Sequence, residues 1–318
     1  MRPAGPRRPG RVWFGRSKCC TYHPQLHNFL AGAVLADADP ALARARARLE
    51  AALAARTGVS PLGVLGPRSY WVLYEATPEA FGRGEELRCP FYDEASGGCG
   101  IWRLRESTCA TWFCKHDRGA VGEGFWAAAR RLLQALERAV ARHCLVELDL
   151  GSDALAAVLA ESPAGPELGA PADEAAIARA WGPWRGRARE LFLVCARIAR
   201  GLSPAAVLAA GGADARLRAE ILRARFRELG DEGPPTGPLR AGSLEVVDTD
   251  PPACVLVGYR RLDPVEVPQA LAAALLRFDG RPTEVVAEEI RRELGIVLDG
   301  PTLRTLADFR LLVPAEPS

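Results

Sequence analysis

Apolar residues recur along this chain at helical spacing more often than at strand spacing. Leu42, Leu49 and Leu53 share one helical face. Asp39-Pro40, a capping side chain followed by proline at the first helical position, marks its start, and Thr57-Gly58 its stop. A longer helix is expected from about Gly124 to Cys144, with Leu133, Leu136, Val140 and Cys144 in line. Helical patterns return between Glu174 and Gly230. There Leu191, Cys195 and Ile198 align, and Ser203-Pro204 opens a segment that Gly211-Gly212 ends. Leu271/Leu275/Phe278, Val286/Ile290/Leu294 and Leu303/Leu306/Phe309 mark three short helices near the C-terminus. Strand-like runs are fewer: Tyr70-Trp71-Val72-Leu73-Tyr74, Leu244–Val247, Cys254–Tyr259 and Leu311-Leu312-Val313.

Three stretches break the periodicity. Glu161 to Asp173 carries Pro163, Gly165, Pro166, Gly169 and Pro171 and reads as a loop. The segment from Gly230 to Pro238, rich in Pro and Gly, reads as a linker. From Cys89 to His116 the chain holds Gly97-Gly98, Gly100 and only a short apolar Ile101-Trp102, so something other than a hydrophobic core must hold it. These breaks predict an α+β, predominantly helical chain. They divide it into a basic, disordered start (1–16), a loop-rich cysteine domain (17–150), a helical extension (151–230), a linker (231–238) and a winged-helix-like module (239–318). Leu271, Leu275, Val286, Ile290, Leu294 and Leu306 are the expected core of that module, small for about 80 residues.

Composition narrows the class. With 318 residues, 48% hydrophobic and 25% charged, the chain is neither disordered throughout nor collagen-like. No run of 18 apolar residues marks a transmembrane helix, and no apolar region follows the basic N-terminus, so a cytoplasmic protein without a membrane partner is expected. Only Lys18 and Lys115 among the 41 basic residues are lysines, and Asn28 is the only asparagine, as a GC-rich genome produces. The arginine content is therefore no evidence for nucleic-acid binding, and net charge +2 adds none.

The nine cysteines are distributed unevenly. Cys19, Cys20, Cys89, Cys99, Cys109 and Cys114 lie in the first 114 residues, with His23, His27 and His116 close by. In a reduced compartment such clustering points to metal binding or redox chemistry rather than disulfides. Cys144, Cys195 and Cys254 continue apolar patterns and read as small core residues. The loops between Cys89, Cys99, Cys109 and Cys114 hold nine, nine and four residues. Zinc knuckles use tight two-residue pairs, whereas long uneven loops suit an iron–sulfur cluster at least as well. Arg88, Arg103, Arg105 and Lys115 lie beside the ligands and are candidates to offset thiolate charge, or are plain solvated cations. His116 and His23 are candidate ligands by proximity. Trp102, Trp112 and Phe113 are candidates to shield a cluster or to form a minimal core.

Cys89-Pro90-Phe91-Tyr92, Cys99-x-Ile101-Trp102, Arg105, Cys109 and Trp112-Phe113-Cys114, with the doublet Cys19-Cys20, resemble the YkgJ-type cysteine-cluster family, named for a zinc- or iron-chelating domain with a CxxCxxCC signature. The resemblance covers about residues 17–120. It implies metal ligands among Cys19, Cys20, Cys89, Cys99, Cys109 and Cys114, joined by His116 through its proximity, with Arg105 beside the cofactor, and either an iron–sulfur cluster, foremost 4Fe-4S, or zinc. The two upstream cysteines of the signature are absent, since residues 13–18 read Trp-Phe-Gly-Arg-Ser-Lys, and Glu106 stands where the family has proline.

A more distant likeness is to the flagellin lysine N-methylases. It implies an iron–sulfur-dependent protein-modifying enzyme whose C-terminal module presents a peptide. Leu276 to Thr283 loosely resembles PqqD-like peptide-recognition modules. A metal-responsive DNA-binding regulator is the third reading. It is weakened because Glu284, Glu288, Glu289, Glu293, Asp299 and Asp308 offset most arginines of the module, leaving little to gain from phosphate contacts. No Ser/His/Asp set, HExxH or P-loop is present in the sequence.

Overall fold

The expected helices form where their capping residues put them. The computed structural model describes residues 19–160 and 173–315. The basic segment 1–16 and the loop expected from 161 to 172 lie outside the described residues. A short strand β1 (Leu26–His27) leads into α1 (Asn28–Ala36). Asp39 accepts the Ala41 N–H at 2.9 Å, and after one 3-10 turn α2 (Ala43–Ala55) follows, ending at Arg56 in the left-handed conformation. Strands β2 (Val59–Ser60) and β3 (Gly63–Val64) complete a three-stranded sheet in the order β1-β3-β2.

Residues 70–74, expected as a strand, belong instead to a helix, α3 (Arg68–Ala76). Pro67 opens it with extended backbone angles. Tyr70, Trp71 and Tyr74 then fall at helical spacing and pack on one another and on Tyr22. Only Val72 in that run is β-branched, so helical packing of the rings overrides their strand preference.

A hairpin of β4 (Tyr92–Asp93) and β5 (Gly98–Cys99) is followed by α4 (Ser107–Thr111) and the long α5 (Gly119–Glu147). Next come α6 (Ser152–Ala160), α7 (Glu174–Trp181) and α8 (Ala188–Gly201). Ser203 caps α9 (Pro204–Ala210) through Ala206 N–H at 3.2 Å, and α10 (Gly212–Gly230) ends before the linker. No single described helix is long and apolar enough to cross a membrane.

The chain forms two compact units, whose division falls within α5 and α10. The first takes in the described residues up to Thr111 together with those of Arg130–Arg218. Its core gathers Leu26, Val34, Leu49, Leu145, Leu191 and Phe192 with Cys144 and Cys195. Helices α1 and α8 make its main helix–helix contact, and Gly32 permits it: a Cβ there would stand 1.8 Å from the Phe192 carbonyl oxygen.

The second unit joins Trp112–Ala129 to the residues from 219 onward. Beyond the linker lie β6 (Leu239–Ala241), β7 (Glu245–Asp250), β8 (Ala253–Val257), β9 (Val265–Pro268), α11 (Gln269–Leu275), α12 (Thr283–Leu294), α13 (Gly300–Asp308) and β10 (Leu312–Pro314). Strands β7, β8 and β9 form an antiparallel meander with a bulge between Val246 and Asp248, and β6 pairs with β10. Leu271, Leu275, Val286, Ile290 and Leu306 are buried as expected. Leu294 is not: it is 43% exposed. Gly295 caps α12 in the left-handed conformation, and Ile296 and Leu298 after it enter the core instead.

The linker is anchored within this unit. Asp231 carbonyl accepts Arg118 Nη2 at 2.9 Å, and Gly237 carbonyl accepts the Thr283 hydroxyl at 2.9 Å.

Candidate metal centre

Backbone hydrogen bonds bring distant cysteines together in the first unit. Cys89 N–H donates to the Cys20 carbonyl at 2.7 Å, tying residue 20 to the start of the hairpin. In that hairpin Tyr92 faces Cys99, and Gly100 N–H returns to the Phe91 carbonyl at 2.8 Å. Its tight turn uses Gly97 at φ +63°, with the Asp93 carboxylate accepting Ser96 N–H and Oγ at 3.1 and 2.6 Å. Cys89 and Cys99 therefore sit at the same end of one ribbon. Phe91 and Ile101, both buried, pack the ribbon onto the core.

Cys109 is placed by a cap that sequence reading missed. Glu106, only 3% exposed, accepts Thr108 N–H at 2.6 Å and Cys109 N–H at 2.9 Å, closing the first turn of α4. Glu137 of α5 accepts Ser107 N–H at 2.8 Å and its hydroxyl at 2.6 Å. The Glu-Ser pair before Cys109 was a legible helix-start signal.

Cys20 lies within electrostatic reach of Cys19, Cys89 and Cys99, Cys99 of Cys19, and Cys109 of Cys89 and Cys99. The hydrogen bond with Cys19 pushes the Cys20 thiol up, and burial and the charges of Cys89 and Cys99 push it further. Burial pushes the Cys89 thiol up to about 12, against the pull of Phe91 and Tyr92 N–H donors to its sulfur. Burial also raises Cys99, opposed by the Ile101 N–H and the Arg105 charge. For Cys109 burial comes first, then the Glu106 carboxylate, then Cys89 and Cys99. The donor set is soft, sulfur-rich and crowded. As they stand, no three described His, Cys, Asp or Glu side chains are arranged to hold a metal ion.

Arg105 reaches this site by charge rather than by a bond to sulfur. Its Nε donates to the Trp102 carbonyl at 3.1 Å and its Nη1 to the Cys109 carbonyl at 3.2 Å, with the guanidinium 3.4 Å from the Trp102 ring centre. Trp102 is neither core nor shield: it is 64% exposed on the outside of a 3-10 turn, and buried Ile101 packs in its place. Arg88 pairs with Glu85 and Glu94, and Arg103 with Asp39 at 2.6 Å, so both act as surface ion pairs. His23 Nδ1 stands 3.2 Å from the Pro24 carbonyl, and the ring lies against Tyr70.

Cys114 and His116 belong to the second unit. There the His116 N–H donates to Asp263 at 2.8 Å, and its ring Nδ1 lies 3.3 Å from the Tyr259 hydroxyl, which itself donates to Asp263. Cys144, Cys195 and Cys254 are buried. All nine cysteines are free thiols.

No protein-family model, curated protein or solved structure matches this chain.

Proposed function

We propose that this chain is a metal-binding protein of the YkgJ-type cysteine-cluster kind. Cys20, Cys89, Cys99 and Cys109, with Cys19 beside them, would hold an iron–sulfur cluster or zinc. The observation that carries the reading is geometric: the Cys89 N–H bond to the Cys20 carbonyl and the hairpin holding Cys99 gather these thiols in one unit with Cys109. There burial foremost, with the neighbouring thiols adding to it, raises Cys89 and Cys109. N–H donors from Phe91, Tyr92 and Ile101 stand at the sulfurs. Crowded thiols hold their protons, and a cation removes the repulsion by displacing them. N–H groups aimed at sulfur, with a nearby arginine, offset the negative charge of a thiolate-ligated metal. Bound there, an iron–sulfur cluster supplies one-electron transfer, and zinc a structural clamp. Arg105 carries the compensating charge, and Glu106 holds the helix that presents Cys109.

The test is anaerobic purification with elemental analysis and an absorption spectrum. A sulfur-to-iron charge-transfer band identifies a cluster, and a colourless zinc protein a structural site. C20S, C89S, C99S and C109S should lower metal content, whereas C144S, C195S and C254S should leave it intact. Folded, reduced, metal-free protein would overturn the reading.

A second reading makes the metal part of a protein-modifying enzyme, with the winged-helix-like C-terminal module holding an extended peptide. It is favoured by β7, an edge strand whose residues are mostly exposed and acidic at Asp248 and Asp250, Glu245 being paired with Arg261 at 2.7 Å. A peptide added to that edge needs backbone hydrogen bonds, and these carboxylates select basic side chains. Titrating the full chain with a basic extended peptide and with random duplex DNA separates this from a regulator. Tight, salt-sensitive DNA binding would discard it.

A further inference from the structure

Away from the cysteines, the first unit holds a groove of about 390 Å³ between α5 and the turn joining α9 to α10. Arg138, Arg142 and His143 line one wall with Ala135, Ala139 and Val146, while Ala210, Gly211 and Asp214 line the other. Arg138 and Arg142 stand one helical turn apart, so both guanidinium groups share one face of α5. Both are exposed, and the Arg138 charge reaches the Asp214 and Glu137 carboxylates without closing on either. The only carboxylate in the lining, Asp214, is already occupied, since Arg218 Nε bonds both its oxygens at 2.9 and 2.8 Å. Of the charged lining residues, Arg138 and Arg142 against Asp214 leave a net charge of about +1 at neutral pH.

The groove's shape comes from close backbone approach. A Cβ on Gly211 would stand 2.4 Å from the Ala215 Cβ and 3.1 Å from Leu136 Cδ2. Glycine there lets the turn press onto α5, and α10 begins at the next residue. Its first N–H groups lack intrahelical acceptors and add partial positive charge to that wall.

We propose that this groove binds a small phosphorylated ligand. Its phosphate group lies between Arg138 and Arg142, and its uncharged part lies against Ala135, Ala139, Val146 and Ala210. Paired arginine forks match the planar spread of phosphate oxygens, whereas the alanines leave room but offer no hydrogen bonds. The volume suits a small molecule rather than a polymer. This inference is independent of the metal reading.

Calorimetry on the full chain at constant ionic strength, with inorganic phosphate and phenyl phosphate as probes, tests it. Saturable one-to-one binding is expected, with phenyl phosphate the tighter of the two. R138A and R142A, each checked for an unchanged fold by circular dichroism, should each weaken binding by about tenfold or more. R292A, an exposed arginine in the other unit, should not change it. Absence of saturable binding, insensitivity to R138A and R142A, or an equal loss in R292A would overturn the site. Equal affinity for the two probes would overturn the apolar half of it.

Discussion

At the residue scale, two titratable groups of the first unit, half-buried Glu137 and buried His27, pull against each other. Burial, reinforced by the Glu106 charge, pushes Glu137 up from 4.5 to about 7 despite its bonds from Ser107. Its contribution to stability is complete below the unfolded value and is lost as pH rises through 7. Burial, and then the Arg138 charge, push His27 down from 6.5 to about 4. That contribution is complete above 6.5 and is lost as pH falls through 4. The two slopes largely cancel between pH 4.5 and 6.5. E137Q should therefore expose a stability that rises with pH across that range, by at most about 1.4 kcal/mol per pH unit. H27Q should expose the opposite slope. Urea midpoints at several pH values read both. Asn28, fully buried, bonds the Pro61 and Ala141 carbonyls at 3.1 and 3.0 Å and accepts the Phe29 N–H. N28A should cost about 2–3 kcal/mol, because it orphans buried carbonyls.

At the scale of elements, the α1–α8 crossing depends on a missing side chain. G32A places a Cβ on the Phe192 backbone, which no rotamer change relieves, so a loss of about 3 kcal/mol or more is expected in chemical denaturation. The short helix α4 depends on its acid cap in the same way. E106A should cost about 1 kcal/mol through the lost cap. It should also lower metal retention, since Cys109 N–H is one of the donors released. E106Q, which keeps an acceptor, should retain more metal than E106A. Unchanged metal content in E106A would separate the cap from the centre.

On the scale of the whole molecule, the second unit is sealed by an ion pair distant in sequence. Arg118 bonds Asp308 through Nε and through Nη2, the latter at 3.1 Å, and Arg304 Nε lies 3.3 Å from the same carboxylate. Asp308 is 5% exposed. D308A removes the carboxylate shared by Arg118 and Arg304, which keep acceptors at Leu229 and Asp231, and should cost about 1.5–3 kcal/mol. The loss should be read as earlier melting of the full chain, with metal content of the intact fraction unchanged.

The sequence by itself determined most helices and the C-terminal strands, because caps and 3.6-residue periodicity are local properties. It also separated core cysteines from clustered ones, since Cys144, Cys195 and Cys254 carry their apolar context beside them. It misplaced residues 70–74, where aromatic residues satisfy strand preference and helical spacing alike and only the packing of Tyr22 on α3 decides. It did not reveal β6 or β9, three or four residues long, whose pairing partners are supplied by the fold. Proximity in sequence grouped Cys114 and His116 with the other clustered cysteines. Tertiary structure gave His116 to Asp263 and Tyr259, 147 and 143 residues away. Only the folded chain brings Cys20 to Cys89 and sets Glu106 against Cys109, because a cysteine cluster closed by backbone bonds across 69 residues leaves no local signal in either segment.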